Sequence, residues 1–176
     1  MNIPNIISGT RILLVPMFVF CYMQGRLAAS LAVLILCALS DVLDGMIARR
    51  FNMVTDLGKI LDPVADKLIQ AAMMLCLSFS FPQIRILLFL HVFRELTLSA
   101  MGLYVIRKTG KVCSAKWYGK FCTAFLYAAM LLMLLKPDLP HAFVNALVLC
   151  SSVLMVFCLV MYLLEYLHTI KIAFQD

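Results

Sequence analysis

The chain has 176 residues, of which 64% are hydrophobic and 14% charged, and its mean hydropathy is +1.01. These values lie outside the range of soluble domains and predict an integral membrane protein, with one membrane domain over residues 1–176. A spanning helix needs about 20 apolar residues, so the chain can hold at most about six to eight spans. The net charge of +6 does not indicate nucleic-acid binding, because the basic residues lie mainly between apolar runs.

The apolar runs predict an all-α fold with six transmembrane helices. A retained first helix, starting near Ile6 or Ile7 and ending at Met23, is favoured over a signal peptide. The segment before Arg11 lacks a basic cluster, and five further apolar runs follow it. Pro16 lies inside this first span, where proline is tolerated. The other predicted spans cover residues 27–47, 57–80, 84–106, 121–135 and 142–167.

The distribution of Lys and Arg predicts the orientation of these spans. One side collects most of the cations: Arg11, Arg49, Arg50, Arg107, Lys108, Lys111, Lys116, Lys120 and Lys171. The other side has Arg26, Arg85 and Lys136. Since basic residues accumulate in cytoplasmic loops, both termini and the loop at residues 52–56 are predicted to be cytoplasmic.

The seven cysteines are scattered, with no Cys-x2-Cys pair, and most lie inside apolar runs. This pattern favours small packing residues over metal ligands or disulfides.

The stretch from Asp41 to Asp66 concentrates four carboxylates in an otherwise apolar sequence. Asp41 and Asp44 are three residues apart, and Asp62 and Asp66 are four apart, so on helices each pair shares one face. Ionised carboxylates at membrane depth are costly without a cationic partner, and divalent metals are the natural one. Helix caps or solvated loop residues are the alternative, but caps do not need four carboxylates at two helical spacings around a glycine-rich turn.

The spacing Asp-x2-Asp-Gly-x2-Ala-Arg-x8-Gly-x3-Asp-x3-Asp resembles the signature of the CDP-alcohol phosphatidyltransferase family at all eight defined positions. The resemblance implies a membrane enzyme in which an acceptor alcohol attacks the diacylglycerol-bearing phosphorus of CDP-diacylglycerol and CMP leaves. It also implies two divalent cations, Mg2+ or Mn2+, and a homodimer. The active site would face the cytoplasm at the cell inner membrane, where the acyl chains of the substrate stay among membrane lipids and its nucleotide stays in water.

The same resemblance assigns roles to individual residues. Asp41, Asp44, Asp62 and Asp66 would bind the metals, and Asp66 would also act as the general base. Substrate contacts are implied for a second set, which would bind CDP-diacylglycerol: Gly45, Ala48, Arg49, Thr55 and Gly58. No Ser, Cys or His of the motif stands out as a covalent nucleophile, which favours direct transfer.

Three cations are candidates for binding an anionic acceptor: Arg94, Lys116 and Lys120. A charged residue inside a span is a functional candidate by default. Neutralisation of Arg94 by Glu95 is the alternative, although neighbours in sequence point about 100° apart on a helix and are not expected to face each other. Simple anchoring at the cytoplasmic face is the alternative for the two lysines.

Other segments resemble the phosphatidylglycerophosphate synthases of this family, which use glycerol 3-phosphate as the acceptor. These segments are Asn5-Ile6-Ile7-Ser8-x2-Arg11 with Pro16, Leu61 to Lys67, Arg94-Glu95, and Gly119-Lys120-x2-Thr123. The chain departs from that pattern at Gly102 and Cys122, where those synthases often have Arg and Lys, and Lys116 would compensate. Two alternatives remain: a cardiolipin synthase of the same family with phosphatidylglycerol as acceptor, and an ion-coupled transporter with buried acids.

Overall fold

The computed structural model describes the backbone of residues 3–50, 56–110 and 116–173, and the side chains of residues 10, 12–40, 64–110 and 116–171. Within these ranges all regular structure is helical, which confirms the all-α prediction. The helices are α1 (Ile3–Met23), α2 (Leu27–Arg50), α3 (Asp56–Ser80), α4 (Ile84–Thr109), α5 (Trp117–Leu135) and α6 (His141–Ala173). Each predicted apolar run corresponds to one of them.

The helices belong to two compact units, Met1–Cys76 and Leu77–Asp176. In the first unit α1 packs against α2. The turn between them is made by Gly25, whose φ of +69° is a left-handed conformation that glycine adopts without a steric penalty. The backbone N–H of Gly25 donates to the carbonyl of Tyr22 at 2.8 Å and closes α1. Residues 24–26, which separate the first two predicted spans, therefore form a turn, and α1 continues through Pro16.

In the second unit α6 packs against both α4 and α5. α4 ends at Gly110, whose φ is +66° and whose N–H donates to the carbonyl of Ile106 at 2.9 Å. α5 begins at Trp117, four residues before the predicted start at Phe121, because Lys116 is its N-cap and Lys120 belongs to its first turn despite its charge. α6 runs 33 residues, longer at both ends than the predicted span.

Large apolar side chains point outward on most helices. Leu13 and Phe89 are each 71% exposed, whereas Arg94 is 8% exposed and His91 2%. An outer surface of leucine and phenylalanine with polar groups inside is typical of helices that face lipid. Among the described residues, three helical stretches are long and apolar enough to cross a membrane: Ile84–Thr109, Trp117–Leu135 and His141–Lys171. Shorter apolar stretches occupy Ile12–Met23 and Leu27–Ser40.

Candidate functional site

The four motif aspartates lie on two helices of the first unit. α2 includes Asp41 and Asp44, and α3 includes Asp62 and Asp66. Because both segments are helical, the spacings of three and four residues place the two positions of each pair on one face of their helix. The structure thus supplies the helical geometry on which the metal prediction depends.

Asp66 is the motif aspartate whose side chain the structure describes. It is partly buried and follows Ala65, which is 0% exposed on the packed face of α3. The side chains of Asp41, Asp44 and Asp62 lie outside the described set, as do those of Gly45, Ala48, Arg49 and Gly58, and Thr55 lies outside the described residues altogether. Among the described side chains, no three His, Cys, Asp or Glu residues form a metal-binding group.

The donor chemistry of the motif suits a hard divalent cation. Carboxylate oxygens are the ligands that Mg2+ and Mn2+ prefer, and the motif supplies four of them without a thiol or an imidazole. A nucleotide pyrophosphate would add further oxygen ligands, as in other phosphoryl-transfer sites. The residues present therefore fit a magnesium or manganese site.

Arg94 lies in α4, in the second unit, and is held by polar partners despite its burial. Its Nη2 lies 2.6 Å from Oε1 of Glu95, and its Nε donates to the same oxygen at 3.1 Å. Its Nη1 lies 3.5 Å from the Sγ of Cys122 on α5. The guanidinium is thus fixed by an ion pair on its own helix and a thiol on the next.

The Arg94–Glu95 pair corrects one sequence-based expectation. Neighbouring positions on a helix diverge by about 100°, so we expected the two side chains not to meet. The structure shows that they do, because both side chains are long and flexible enough to bend around the helix. The gain from pairing is large here, since an unpaired charge in apolar surroundings is costly. Mutual neutralisation of Arg94 and Glu95 is therefore part of the structure.

Lys116 stands immediately before α5, with an extended backbone (φ −92°, ψ 159°). Its backbone N–H donates to the hydroxyl of Tyr162 at 3.1 Å, and its Nζ lies 2.7 Å from Oε1 of Glu165. The other oxygen of that carboxylate accepts a hydrogen bond from the hydroxyl of Tyr118 at 3.0 Å. The Lys116 side chain nevertheless remains 42% exposed. The Lys116 side chain is therefore held by Glu165 while a substantial part of it stays exposed.

Lys120, the third predicted acceptor cation, lies one turn further along α5. Its backbone N–H donates to the carbonyl of Lys116 at 3.3 Å, and its side chain is exposed. The structure thus brings Lys116 and Lys120 together on one helical turn. Arg94 contacts α5 at Cys122, six residues and roughly 9 Å of helix axis beyond Lys116.

The residues that hold Lys116 were missed at the level of sequence. Glu165 and Tyr162 lie three apart on α6, and Tyr118 is on α5. The sequence did contain a signal for Glu165, because it is an acidic residue in a strongly apolar run. A charged residue inside a predicted span is a functional candidate, and this holds for Glu165 as it does for Arg94. Its partner could not be identified, since Lys116 is separated from Glu165 by 49 positions.

Comparison with known proteins reveals similarity over nearly the whole chain. The family model described as CDP-alcohol phosphatidyltransferase matches residues 1–171. A relative from Aquifex aeolicus (strain VF5), named CDP-diacylglycerol–glycerol-3-phosphate 3-phosphatidyltransferase, is 33% identical over 176 residues, which are 97% of this chain and 96% of that protein. A relative of the same name from Shigella flexneri serotype 5b (strain 8401) is 32% identical over 170 residues, 92% of this chain and 93% of that protein.

The family match and the two full-length relatives agree with the spacing of the aspartate motif and with the helices that carry it. The chain belongs to the CDP-alcohol phosphatidyltransferase family.

Proposed function

We propose that this protein transfers the phosphatidyl group of CDP-diacylglycerol to glycerol 3-phosphate, forming phosphatidylglycerophosphate and releasing CMP. The observation that carries the proposal is the similarity, over more than nine-tenths of the chain, to relatives named for this activity. An acceptor hydroxyl oxygen forms a bond to the diacylglycerol-bearing phosphorus. The bond from that phosphorus to the CMP oxygen breaks, and the hydroxyl proton passes to a base.

In this proposal the motif aspartates hold the metal and move the proton. Members of the family generally use a divalent metal. Asp41, Asp44, Asp62 and Asp66 would hold two Mg2+ or Mn2+ ions, which supply positive charge to the pyrophosphate and to the departing CMP. Asp66 would accept the acceptor proton. A carboxylate among other carboxylates has a raised affinity for protons, which suits that role.

The nucleotide half of CDP-diacylglycerol would be bound by residues of the same motif. Gly45 would let the pyrophosphate approach the α2 backbone, and Ala48 would keep that face of the helix narrow. Arg49 would pair with a phosphate, since a guanidinium matches phosphate oxygens. Thr55 and Gly58 would contact the cytidine.

The acceptor phosphate would be bound by Arg94, Lys116 and Lys120. Contacts of Arg94 support this role, because Glu95 orients its guanidinium while Nη1 faces the thiol of Cys122, a weak acceptor. A phosphate oxygen would accept from Nη1 more strongly than the thiol does. The Lys116 side chain, which is 42% exposed, likewise lies where a ligand from water can approach it.

The proposed setting is the cell inner membrane. We propose six transmembrane helices with both termini and the motif loop on the cytoplasmic side, in one catalytic domain over residues 1–176 that forms a homodimer. The asymmetry of Lys and Arg supports the orientation, and the three long apolar helices support membrane insertion. The homodimer rests on family resemblance.

One assay tests the acceptor. Purified protein is given CDP-diacylglycerol and Mg2+ and is then offered glycerol 3-phosphate, phosphatidylglycerol, inositol phosphate or serine in turn, with CMP release as the readout. We expect release with glycerol 3-phosphate. Arg94→Ala should weaken the use of this acceptor roughly ten- to a hundredfold without changing the KM for CDP-diacylglycerol, because it removes charge-assisted contacts to phosphate.

The matched control is Arg85→Ala, which removes an exposed arginine at the start of the same helix. Turnover with phosphatidylglycerol and none with glycerol 3-phosphate would assign the protein as a cardiolipin synthase. Absence of metal-dependent CMP release with every acceptor would favour the ion-coupled transporter.

A further inference from the structure

We propose that Glu165 is a positioning residue of the acceptor site, which holds the Lys116 ammonium where it binds the acceptor phosphate. This inference rests on the proposed function, because it takes Lys116 as an acceptor-binding cation. Glu165 itself would contact neither substrate. Its carboxylate would act through Lys116, with Tyr162 and Tyr118 completing the set of side chains that fixes this lysine.

The contacts hold Lys116 at its backbone and at its side-chain end. Tyr162 accepts a hydrogen bond from its backbone N–H at 3.1 Å, and Glu165 lies 2.7 Å from its Nζ. Tyr118 donates to the second Glu165 oxygen at 3.0 Å and keeps that carboxylate in one orientation. The tyrosine rings meet edge to face, with centroids 5.0 Å apart. A flexible four-carbon side chain is thereby fixed at both ends.

Neither member of the ion pair is favourable in its own local setting. Lys116 occupies the N-cap of α5 without a side-chain capping bond, at a helix end whose dipole disfavours a cation. Glu165 lies in a helix that is otherwise almost wholly apolar. Each residue thus depends on the other for a compensating charge, and departures from the locally favoured residue occur at functional sites.

The length of α6 is consistent with a Lys116–Glu165 pair near a membrane interface, where a water-soluble acceptor can reach it. Glu165 lies 24 residues after His141, which is about 36 Å along a helix, whereas the hydrocarbon core of a bilayer is about 30 Å thick. If α6 crosses the membrane from His141, the pair emerges near the opposite interface. A water-soluble phosphate ester can reach a cation at that depth.

Two effects of Glu165 on an anionic acceptor oppose each other. Its charge repels a phosphate, while its contact with Nζ removes the need to order a lysine side chain when the phosphate binds. Repulsion between partly exposed charges weakens with salt, whereas the ordering of Lys116 by contact depends on salt much less. Ionic strength therefore separates the two effects.

The test measures steady-state kinetics of purified Glu165→Gln at low and high salt, varying glycerol 3-phosphate and CDP-diacylglycerol separately. We expect the KM for glycerol 3-phosphate to rise about three- to tenfold at both salt concentrations, because the lysine loses an ion pair and must be ordered by the ligand. The KM for CDP-diacylglycerol and the thermal midpoint should change little. In a Lys116→Ala background, Glu165→Gln should add no further change.

Further variants isolate each contact. Tyr162→Phe removes the partner of the Lys116 backbone N–H, and Tyr118→Phe removes the second partner of the carboxylate. Each should raise the same KM by a smaller factor, and they test the proposal even if Glu165→Gln folds poorly. Glu165→Asp keeps the charge and should restore part of the affinity. The control is Ser152→Ala on the same helix, whose hydroxyl bonds to the carbonyl of Val148 at 2.8 Å, away from Glu165.

The outcomes separate this inference from the proposed function. A wild-type protein that does not use glycerol 3-phosphate contradicts the acceptor assignment, and the variants are then measured with the acceptor that it does use. An unchanged or lowered acceptor KM in Glu165→Gln, with an active wild type, contradicts the positioning role. An equal rise in both KM values, or the same rise in the Lys116→Ala background, contradicts it as well.

Discussion

Within the described part of the second unit, the two Lys or Arg side chains that are buried or half-buried each have a carboxylate partner. Arg94 is paired with Glu95 on the same helix, and Lys116 with Glu165 on another. A lone buried charge costs several kcal/mol, so Glu95 offsets part of that penalty for the buried Arg94, while the more exposed Lys116 gains less from its pair. A phosphate that binds such a pair meets an oriented donor whose geometry is already set, instead of a mobile side chain. Pairing thus makes charged residues compatible with a hydrophobic protein.

At the aspartate motif we expect Asp66→Asn to lower the rate of CMP release by about a hundredfold or more, because it removes both a metal ligand and the proposed base. The measurement is CMP release from CDP-diacylglycerol with glycerol 3-phosphate. Chelation of divalent metal should abolish CMP release by the wild type, and added Mg2+ or Mn2+ should restore that activity. The control is Asp138→Asn on the exposed turn between α5 and α6. Near-normal turnover of Asp66→Asn would rule out the base role.

At the scale of helices, glycines set how closely tyrosines of α6 approach their neighbours. A Cβ at Gly119 of α5 would lie within 3.0 Å of Cε2 of Tyr162 and would collide with its hydroxyl oxygen. That hydroxyl also holds Lys116, so the ring cannot move away without losing a hydrogen bond. At Gly102 of α4 the added Cβ would lie 3.5 Å from the Tyr166 hydroxyl, which is ordinary contact. The two glycines are therefore not equivalent.

We expect Gly119→Ala to lower the thermal midpoint of the purified protein by several degrees, since overpacking costs about 1–3 kcal/mol against a helix-propensity gain of about 1 kcal/mol. Gly102→Ala is the matched control and should leave the midpoint unchanged or raise it. Adding Tyr162→Phe to Gly119→Ala should restore part of the lost thermal midpoint, because it removes the hydroxyl oxygen that lies closest to the new Cβ. Equal midpoints for the two alanine variants would show that Tyr162 does not constrain α5.

At the scale of the whole molecule, the exposure pattern is that of a protein in lipid. Leucine and phenylalanine side chains point outward, and the charged groups of α4 point inward or lie near a helix end. The second unit contains the three helices that meet the length and hydropathy of a span among the described residues. Association of these helices depends on close packing and interhelical hydrogen bonds, because lipid removes most of the hydrophobic driving force.

The proposed orientation predicts the accessibility of single cysteines. In a background with Cys113 and Cys150 replaced by serine, Asn52→Cys should react with an impermeant maleimide only after the membrane is opened, while Asp138→Cys should react from outside. The remaining five cysteines are buried and should react slowly. Residue 52 is expected on the cytoplasmic side because Lys and Arg are in excess on its side of the membrane. Labelling of Asn52→Cys in sealed cells would contradict the proposed orientation.

Much of the fold and the motif could be predicted without coordinates. Apolar runs separated by Gly, Pro and charged residues locate the six helices of the described residues, because an apolar segment away from water must satisfy its backbone hydrogen bonds internally and a helix does so. The eight motif positions identify the family, because eight fixed residues at fixed gaps form a specific pattern. The predicted start of α5 is less accurate. The prediction begins the span at Phe121, after the charged Lys120, whereas the helix begins at Trp117.

Partners of the cations were decided by tertiary structure alone. Glu165 reaches Lys116 from 49 residues away, and the proximity of Tyr162 to Gly119 depends on how α5 packs on α6. Arg94 and Glu95 are adjacent in sequence, yet helix geometry alone does not predict the contact that the structure shows between their side chains. Periodicity along one chain determines helices and the faces they share. It does not determine which face meets which, because that choice depends on side-chain packing between segments distant in sequence.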